Sequence, residues 1–309
     1  MSTSPATAVP KRVLMTGASG LVGSALSACL VAKGQQVVPL VRRPPRPGSR
    51  EIEWDPVQGR IDVDAFQGVD AIVNLAGENI AAGRWTASRK KTILESRLQG
   101  TRLLAEAMTR FEPRPRAFIS ASAVGYYGHR GEEQVSEDSP AGCGFLAEVC
   151  RRWEQATTAA RDAGVRVVLL RLGIVLSARG GALARMLTPA KLGLGGPFGS
   201  GCQWMSWIGL TDLVRCVEHL LANDVLSGPV NAVSPHPVTN AEFAATLGKV
   251  LGRPAILRMP AMAVNLLFGE MGRELLLAST RAEPSRLLST GFCFAHPDLT
   301  SALRAELSV

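Results

Sequence analysis

The sequence predicts an α/β protein: a Rossmann-type doubly wound parallel sheet with a smaller, mostly helical C-terminal lobe. Two observations carry that prediction. Short apolar runs alternate with longer helical stretches from Arg12 onward, and the first run leads directly into a turn with glycines at 17, 20 and 23 that opens a helix.

The runs lie at 12–16, 37–41, 70–75, 117–121 and 165–171, each rich in leucine or β-branched residues and bounded by Gly, Pro or polar residues. Helical stretches fall near 21–33, 88–110 and 144–163. Continuously apolar strands separated by helices indicate a parallel sheet covered on both faces. Right-handed crossovers then place ligands at the carboxyl ends of the strands. The glycine-rich segment 177–206 reads as loop, and a last strand is expected at 228–233. The chain is therefore divided into a nucleotide-binding domain at 11–235 and a small domain at 236–309 that completes a substrate crevice.

Composition narrows the function classes. The 309 residues are 46% hydrophobic and 19% charged, as in an ordinary globular core. No apolar run reaches the roughly 20 residues that span a bilayer, and the first twelve residues lack the apolar core of a secretory signal. Six cysteines and four histidines show no metal-ligand or disulfide spacing. The expectation is a cytoplasmic protein without metal and without a membrane partner. The net charge of +8 is arginine-rich and spread along the chain, without the aromatic interleaving of a nucleic-acid-binding sheet. A small-molecule ligand is expected instead, and the oligomeric state is left open.

The turn Thr16-Gly17-Ala18-Ser19-Gly20-Leu21-Val22-Gly23 has a mechanical reading. Gly17 permits the tight turn, Gly20 lets the backbone approach a pyrophosphate, and Gly23 lets the helix pack closely on the sheet. Ser19, Leu21 and Val22 lie on the same anion-facing helix start. After the second strand the chain carries Arg42 and Arg43 where a site for unphosphorylated ribose usually has an acid. Guanidinium groups suit a 2′-phosphate, so the expected cofactor is NADP(H). The bland alternative is two arginines on a solvated loop.

Further motifs run through nearly the whole chain: WDP at 54–56, NLAGENI at 74–80, SRLQGTRLL at 96–104, SASAVGYYG at 120–128, LRLGIVLS at 170–177, GGPFGSGCQWMSWI at 195–208 and GPVNAVSP at 228–235. With TGASGLVG at 16–23, they resemble the extended short-chain dehydrogenase/reductases, the NAD-dependent epimerase/dehydratase family. The resemblance is strongest to an atypical epimerase-like branch with an uncharacterised C-terminal domain. It implies that Leu75, Ala76 and Gly77 pass behind the adenine ribose and phosphates. It implies that Ser120 and Ala121 end the strand beneath the nicotinamide, with Ser122 at the catalytic serine position. Leu172, Gly173 and Ile174 match the loop that meets the nicotinamide amide. The segment Trp207-Ile208-Gly209-Leu210-Thr211-Asp212 departs from the family pattern by lacking a histidine and one acid.

A larger departure concerns the acid/base group. The family commonly uses Tyr-x-x-x-Lys on one helix face about 25 residues beyond the serine, where the lysine lowers the tyrosine pKa and holds the ribose. Here the only tyrosines are Tyr126 and Tyr127, and no lysine stands between Lys91 and Lys191. Losing a positioned acid/base costs on the order of 10²–10⁴ in rate. Either tyrosine can be put forward as a substitute, against a packed aromatic turn. Glu78 reads as a crevice carboxylate or a surface one, and Cys150 as a replacement group or a buried small residue. Gln203, Trp204 and Trp207 read as a substrate pocket or as a seam between lobes. Two functions remain in competition: an oxidoreductase or epimerase-like enzyme acting on a small carbonyl, alcohol or sugar-nucleotide-like substrate, and a non-catalytic NADP(H)-binding regulator.

Overall fold

A computed structural model describes residues 9–308. β1 (Arg12–Thr16) leads into α1 (Leu21–Ala32), followed by β2 (Gln36–Val41), β3 (Ile52–Asp55) and β4 (Arg60–Ile61). β5 (Ala71–Asn74) is joined through α2 (Ala87–Met108) to β6 (Ala117–Ala123), and a 3-10 turn (Val124–Tyr127) leads to β7 (Gln134–Val135). α3 (Phe145–Gln155) and α4 (Thr158–Asp162) precede β8 (Arg166–Leu172) and β9 (Ile174–Leu176). Next come α5 (Gly181–Lys191), β10 (Trp204–Met205), β11 (Trp207–Gly209), α6 (Leu210–Ala222) and β12 (Gly228–Ala232). The chain ends with β13 (Val238–Thr239), α7 (Asn240–Leu251), α8 (Ala261–Phe268), α9 (Glu270–Leu275), β14 (Arg281–Ala282), α10 (Ser285–Ser289) and α11 (Leu299–Leu307).

The main sheet has the order β12-β8-β6-β5-β1-β2-β3-β4. Its pairings are parallel except β3 with β4 at the edge. The order reverses between β1 and β5, which opens the crevice where a doubly wound sheet binds its ligand. α1 and α6 cover one face through Leu26, Leu30, Leu213, Val217 and Leu220. α2 and α4 cover the other through Leu104, Met108 and Ala160. Each fully buried side chain of this size contributes about 1.5–3 kcal/mol, so both faces are firmly held.

All six expected strands are present; beyond several short extra strands of two or three residues, three departures from the sequence reading stand out. The segment 177–206 is not all loop. α5 buries Leu183, Leu187 and Ala190 on one face, a helical spacing that the flanking glycines conceal. The helix expected over 144–163 breaks into α3 and α4 at Ala156 and Thr157, with the Thr157 hydroxyl donating to the Glu154 carbonyl at 2.7 Å. β3 adds an unforeseen strand, anchored by the buried Trp54.

The C-terminal residues share their core with the segment after β8. Leu176, Leu183, Leu187, Met205 and Trp207 pack with Phe243, Leu247, Leu299 and Leu303. β13 pairs with β10 and β14 with β7, stitching residues beyond 235 to earlier ones. Among the described residues no helix is long and apolar enough to cross a membrane.

Candidate cofactor cleft and active site

The glycine turn is sterically required. Gly17 has φ +67°, and a Cβ there would fall 2.9 Å from the Leu75 carbonyl. A Cβ on Gly23 would lie 2.2 Å from the Gly17 oxygen, closer than any real side chain allows. The Gly20 amide donates to that same oxygen at 2.9 Å, closing the turn. α1 starts with no side-chain cap and no acid in its first turn. Its first N–H groups and partial positive charge are left for an anion, with Ser19 and Gly20 exposed and Leu21 and Val22 half-buried beside them.

A buried polar cluster levels the neighbouring strand ends. The Thr16 hydroxyl donates to Asn74 Oδ1 at 2.7 Å and accepts from the Leu75 and Ala76 amides, both at 3.1 Å. Asn74 Nδ2 donates to the Thr101 hydroxyl at 2.8 Å and to the Ser120 hydroxyl at 3.2 Å. The Trp153 indole donates to Thr101 at 2.9 Å. Leu75, Ala76 and Gly77 are thus fixed against the glycine turn, while Ser120 and Ala121 are buried beneath it. On the far side of β6, the Ile174 amide donates to Ser206 at 2.8 Å and the Gly173 amide to Ala232 at 3.1 Å. Leu172, Gly173 and Ile174 are half-buried at the end of β8.

The two arginines after β2 differ. Arg43 is committed: Nη2 meets Glu51 at 2.7 Å and Nη1 donates to the Pro44 carbonyl at 2.9 Å. Arg43, with the Arg46 amide, holds the Glu51 carboxyl at about 2. Arg42 is exposed and makes no ion pair among the described residues. The spacing treated both alike; only the pairing across the loop separates them.

Ser122, Tyr126 and Tyr127 come together, but not as an open catalytic set. Their hub is Arg171, whose Nε and Nη2 each bond Glu154 at 2.9 Å. Ser122 is buried and donates to Glu154 at 2.7 Å. Tyr127 is wholly buried, donating to Asn231 at 2.7 Å and accepting from Arg171 Nη1 at 2.9 Å. Burial raises the Tyr127 pKa, against the opposing effect of Arg171. The hydroxyls of Ser122 and Tyr127 are thus both hydrogen-bonded within the protein. Tyr126 differs: it is half-buried, its ring lies 3.6 Å from the Arg171 guanidinium carbon, and its hydroxyl has no protein partner among the described residues.

The profile of the NAD dependent epimerase/dehydratase family matches residues 13–232. The chain belongs to that family. A second profile, the domain of unknown function DUF1731, matches residues 259–306. An epimerase family protein of Mycobacterium tuberculosis is 46% identical over 291 residues, covering 94% of this chain and 96% of the relative. The human epimerase family protein SDR39U1 is 40% identical over 296 residues, covering 95% and 98%. A crystal structure of human SDR39U1 with NADPH superposes with TM-score 0.88 at 38% identity, covering 96% of this chain and 99% of that one. A structure described as a nucleoside-diphosphate sugar epimerase from Corynebacterium glutamicum gives TM-score 0.80 at 40% identity, covering 96% of this chain and 58% of that one.

The inner face of α3 next to the 3-10 turn is apolar. Leu146 and Cys150 both pack beside Gly125. Burial, then the nearby Glu154 charge, pushes the Cys150 thiol up to about 11, so it stays protonated at neutral pH. The N-terminus of α3 is covered by Glu274 of α9, which accepts from the Phe145 and Leu146 amides, both at 2.8 Å. Phe145 in turn packs edge-on against Trp85 with ring centroids 5.0 Å apart.

The remaining candidates each have protein partners. Glu78 is half-buried and paired with Arg89 at 3.0 Å. Gln203 donates to the carbonyls of Phe198 and Leu276 at 3.0 and 2.8 Å, tying the lobe together. Trp207 is fully buried in the cluster that joins the segment after β8 to the C-terminal helices, and Trp204 donates to Glu132 at 2.7 Å. Sequence reasoning did not single out the buried pair Glu154 and Arg171. Arg171 stands next to Leu172 and Glu154 one helical turn past Cys150, but nothing local shows that they pair.

Proposed function

We propose that this chain binds NADP(H) and works as an oxidoreductase or epimerase-like protein on a small carbonyl, alcohol or sugar-nucleotide-like substrate. The observation that carries the reading is the glycine turn: an uncapped helix start behind Gly17, Gly20 and Gly23, where any side chain at 23 would collide with the turn. Its open amides suit a pyrophosphate. Arg42 is free to grip a 2′-phosphate, in keeping with the NADPH of the human relative's structure. When bound, the nicotinamide supplies a hydride donor or acceptor.

In this reading Leu75–Gly77 form the wall behind the adenine ribose and phosphates, and Gly173 gives close backbone approach beside the nicotinamide. Ser122 and Tyr127 hold the floor of the cleft rigid through Glu154 and Arg171. Proton transfer falls to Tyr126, whose hydroxyl is the one of the three without a protein partner. A general acid there would be worth on the order of 10²–10⁴ in rate.

The apolar Leu146 and Cys150 favour a second reading, an NADP(H)-binding regulator without turnover. One experiment separates them. Purified protein, stripped of nucleotide, is titrated with NADPH by calorimetry and then assayed on a carbonyl and alcohol panel with Tyr126→Phe alongside. The first reading expects binding in both proteins and turnover that falls at least about 100-fold in the variant. Binding without turnover by either protein selects the regulator. No heat with any nicotinamide coenzyme overturns both.

A further inference from the structure

Where α3 carries Leu146 and Cys150 in place of a tyrosine and lysine, α2 brings a different cation to the same neighbourhood. Arg97 donates from Nη1 to the Ile93 carbonyl at 2.9 Å and from Nη2 to the Glu78 carbonyl at 3.1 Å. Its guanidinium lies 5.0 Å from the Trp153 ring centroid. A Cβ on Gly77 would sit 3.2 Å from its central carbon, so Arg97 directly supports the Leu75–Gly77 turn.

The nearby cations are matched by carboxylates. Arg89 meets Glu78 at 3.0 Å, Arg171 meets Glu154 at 2.9 Å, and Lys90 meets Glu270 at 2.8 Å. Arg97 has no ion pair among the described residues; its two bonded N–H groups meet only carbonyl oxygens. Burial lowers its pKa, while Cys150 and Glu78 are near enough to act the other way. Arginine starts high enough to remain charged regardless. A fixed positive charge therefore stands beside the turn that forms the cleft wall, next to the position where the usual lysine is absent.

We infer that Arg97 makes this cleft discriminate the redox state of its nicotinamide cofactor, favouring NADPH over NADP⁺. The inference rests on the cofactor reading above. The two forms share adenine, riboses and phosphates, and they differ by the formal positive charge of the oxidised ring. The attraction of Arg97 for phosphates is common to both forms, whereas its repulsion acts on the oxidised ring alone. A tenfold bias corresponds to a repulsion of about 1.4 kcal/mol, a size that two unit charges reach across a cleft at an effective dielectric constant of about 20. Arg97 thus serves as a positioning and selecting residue that needs no contact with the reacting atoms.

Calorimetric titration of nucleotide-stripped protein with NADPH and with NADP⁺ tests this in the wild type, Arg97→Gln and Arg97→Lys. The wild type is expected to bind NADPH about tenfold more tightly. Arg97→Gln should bring the ratio close to one and Arg97→Lys should retain most of it. A purely structural role for Arg97 would weaken both forms together and leave the ratio unmoved, which would overturn the inference. Equal wild-type affinities would overturn it even if Arg97→Gln failed to fold. Binding of neither form would instead bring down the cofactor reading, and this inference with it.

Discussion

Arg42→Ala should weaken NADPH much more than Arg43→Ala does, although the residues are adjacent. The difference follows from Glu51. Its carboxylate meets Arg43 at 2.7 Å and accepts from the Arg46 amide at 3.0 Å. The hydrogen bond from Arg43, then that from Arg46, holds its pKa at about 2, so the pair persists at any pH near neutrality. Arg43 must leave that partner to engage a phosphate, whereas Arg42 need not. A hydrogen bond to a charged group is worth about 1.5–3 kcal/mol, and an exposed arginine belongs at the lower end. Arg42→Ala should then raise the NADPH Kd about 10- to 30-fold and the NADH Kd less than about threefold. Arg43→Ala should cost NADPH less than about threefold, and Glu51→Gln should recover affinity by releasing Arg43. Calorimetry with NADPH and NADH on nucleotide-stripped protein reads all three variants. Equal losses for the two coenzymes in Arg42→Ala, or a larger effect at Arg43, would refute the assignment of the 2′-phosphate to Arg42.

Two further perturbations probe the frame of the site. Glu154→Gln leaves Arg171, whose side chain is 3% exposed, without its counter-charge; urea unfolding should show a loss of about 3–5 kcal/mol, and the double variant Glu154→Leu/Arg171→Met should lose less than Glu154→Gln. His219 lies 2.8 Å from the Thr290 hydroxyl and packs against Phe292, and burial holds its pKa below the usual 6.5. The unfolded chain therefore binds the proton more readily, so the stabilisation by the neutral ring is present above about pH 6.5 and lost as pH falls toward the folded pKa. Urea midpoints should drop between about pH 7.5 and 5.5, with a shallower drop in His219→Gln; an identical slope in that variant would contradict the assignment.

The sheet was legible because its strands advertise themselves locally. Val13-Leu14-Met15 and Val167–Leu170 are continuous apolar runs, as expected for strands buried on both faces. The glycine turn was legible because its three glycines lie within seven residues. α5 was hidden because its apolar face begins immediately after Gly180 and Gly181, and glycine in that number reads as loop. The buried polar network at the other end was illegible for a different reason. Ser122, Glu154, Arg171 and Asn231 come from four separate elements, and the bonds among Ser122, Glu154, Tyr127 and Asn231 span 32 to 104 residues of sequence. Position alone placed Ser122 in the family's catalytic slot, but its hydrogen bonding is set by a partner that no local pattern announces.

The absent dyad and the unpaired Arg97 belong to one electrostatic arrangement. A lysine at 150 would bury an ammonium in a position that already feels the Arg97 charge and now holds a thiol pushed up to about 11. Two buried cations so placed would each depress the other's ionisation. Glu154, the carboxylate that acts on Cys150, is already taken up by Arg171 through two bonds of 2.9 Å. A small neutral group at 150 is therefore what the surroundings accommodate, and restoring the lysine alone would not restore its charge. The cofactor end of the cleft keeps its open amides at β1 and α1, whereas the end formed by β6, β8 and α3 has become a closed network of Ser122, Glu154, Arg171 and Tyr127. On the proposed reading, proton transfer at that end falls to Tyr126, whose hydroxyl has no protein partner among the described residues.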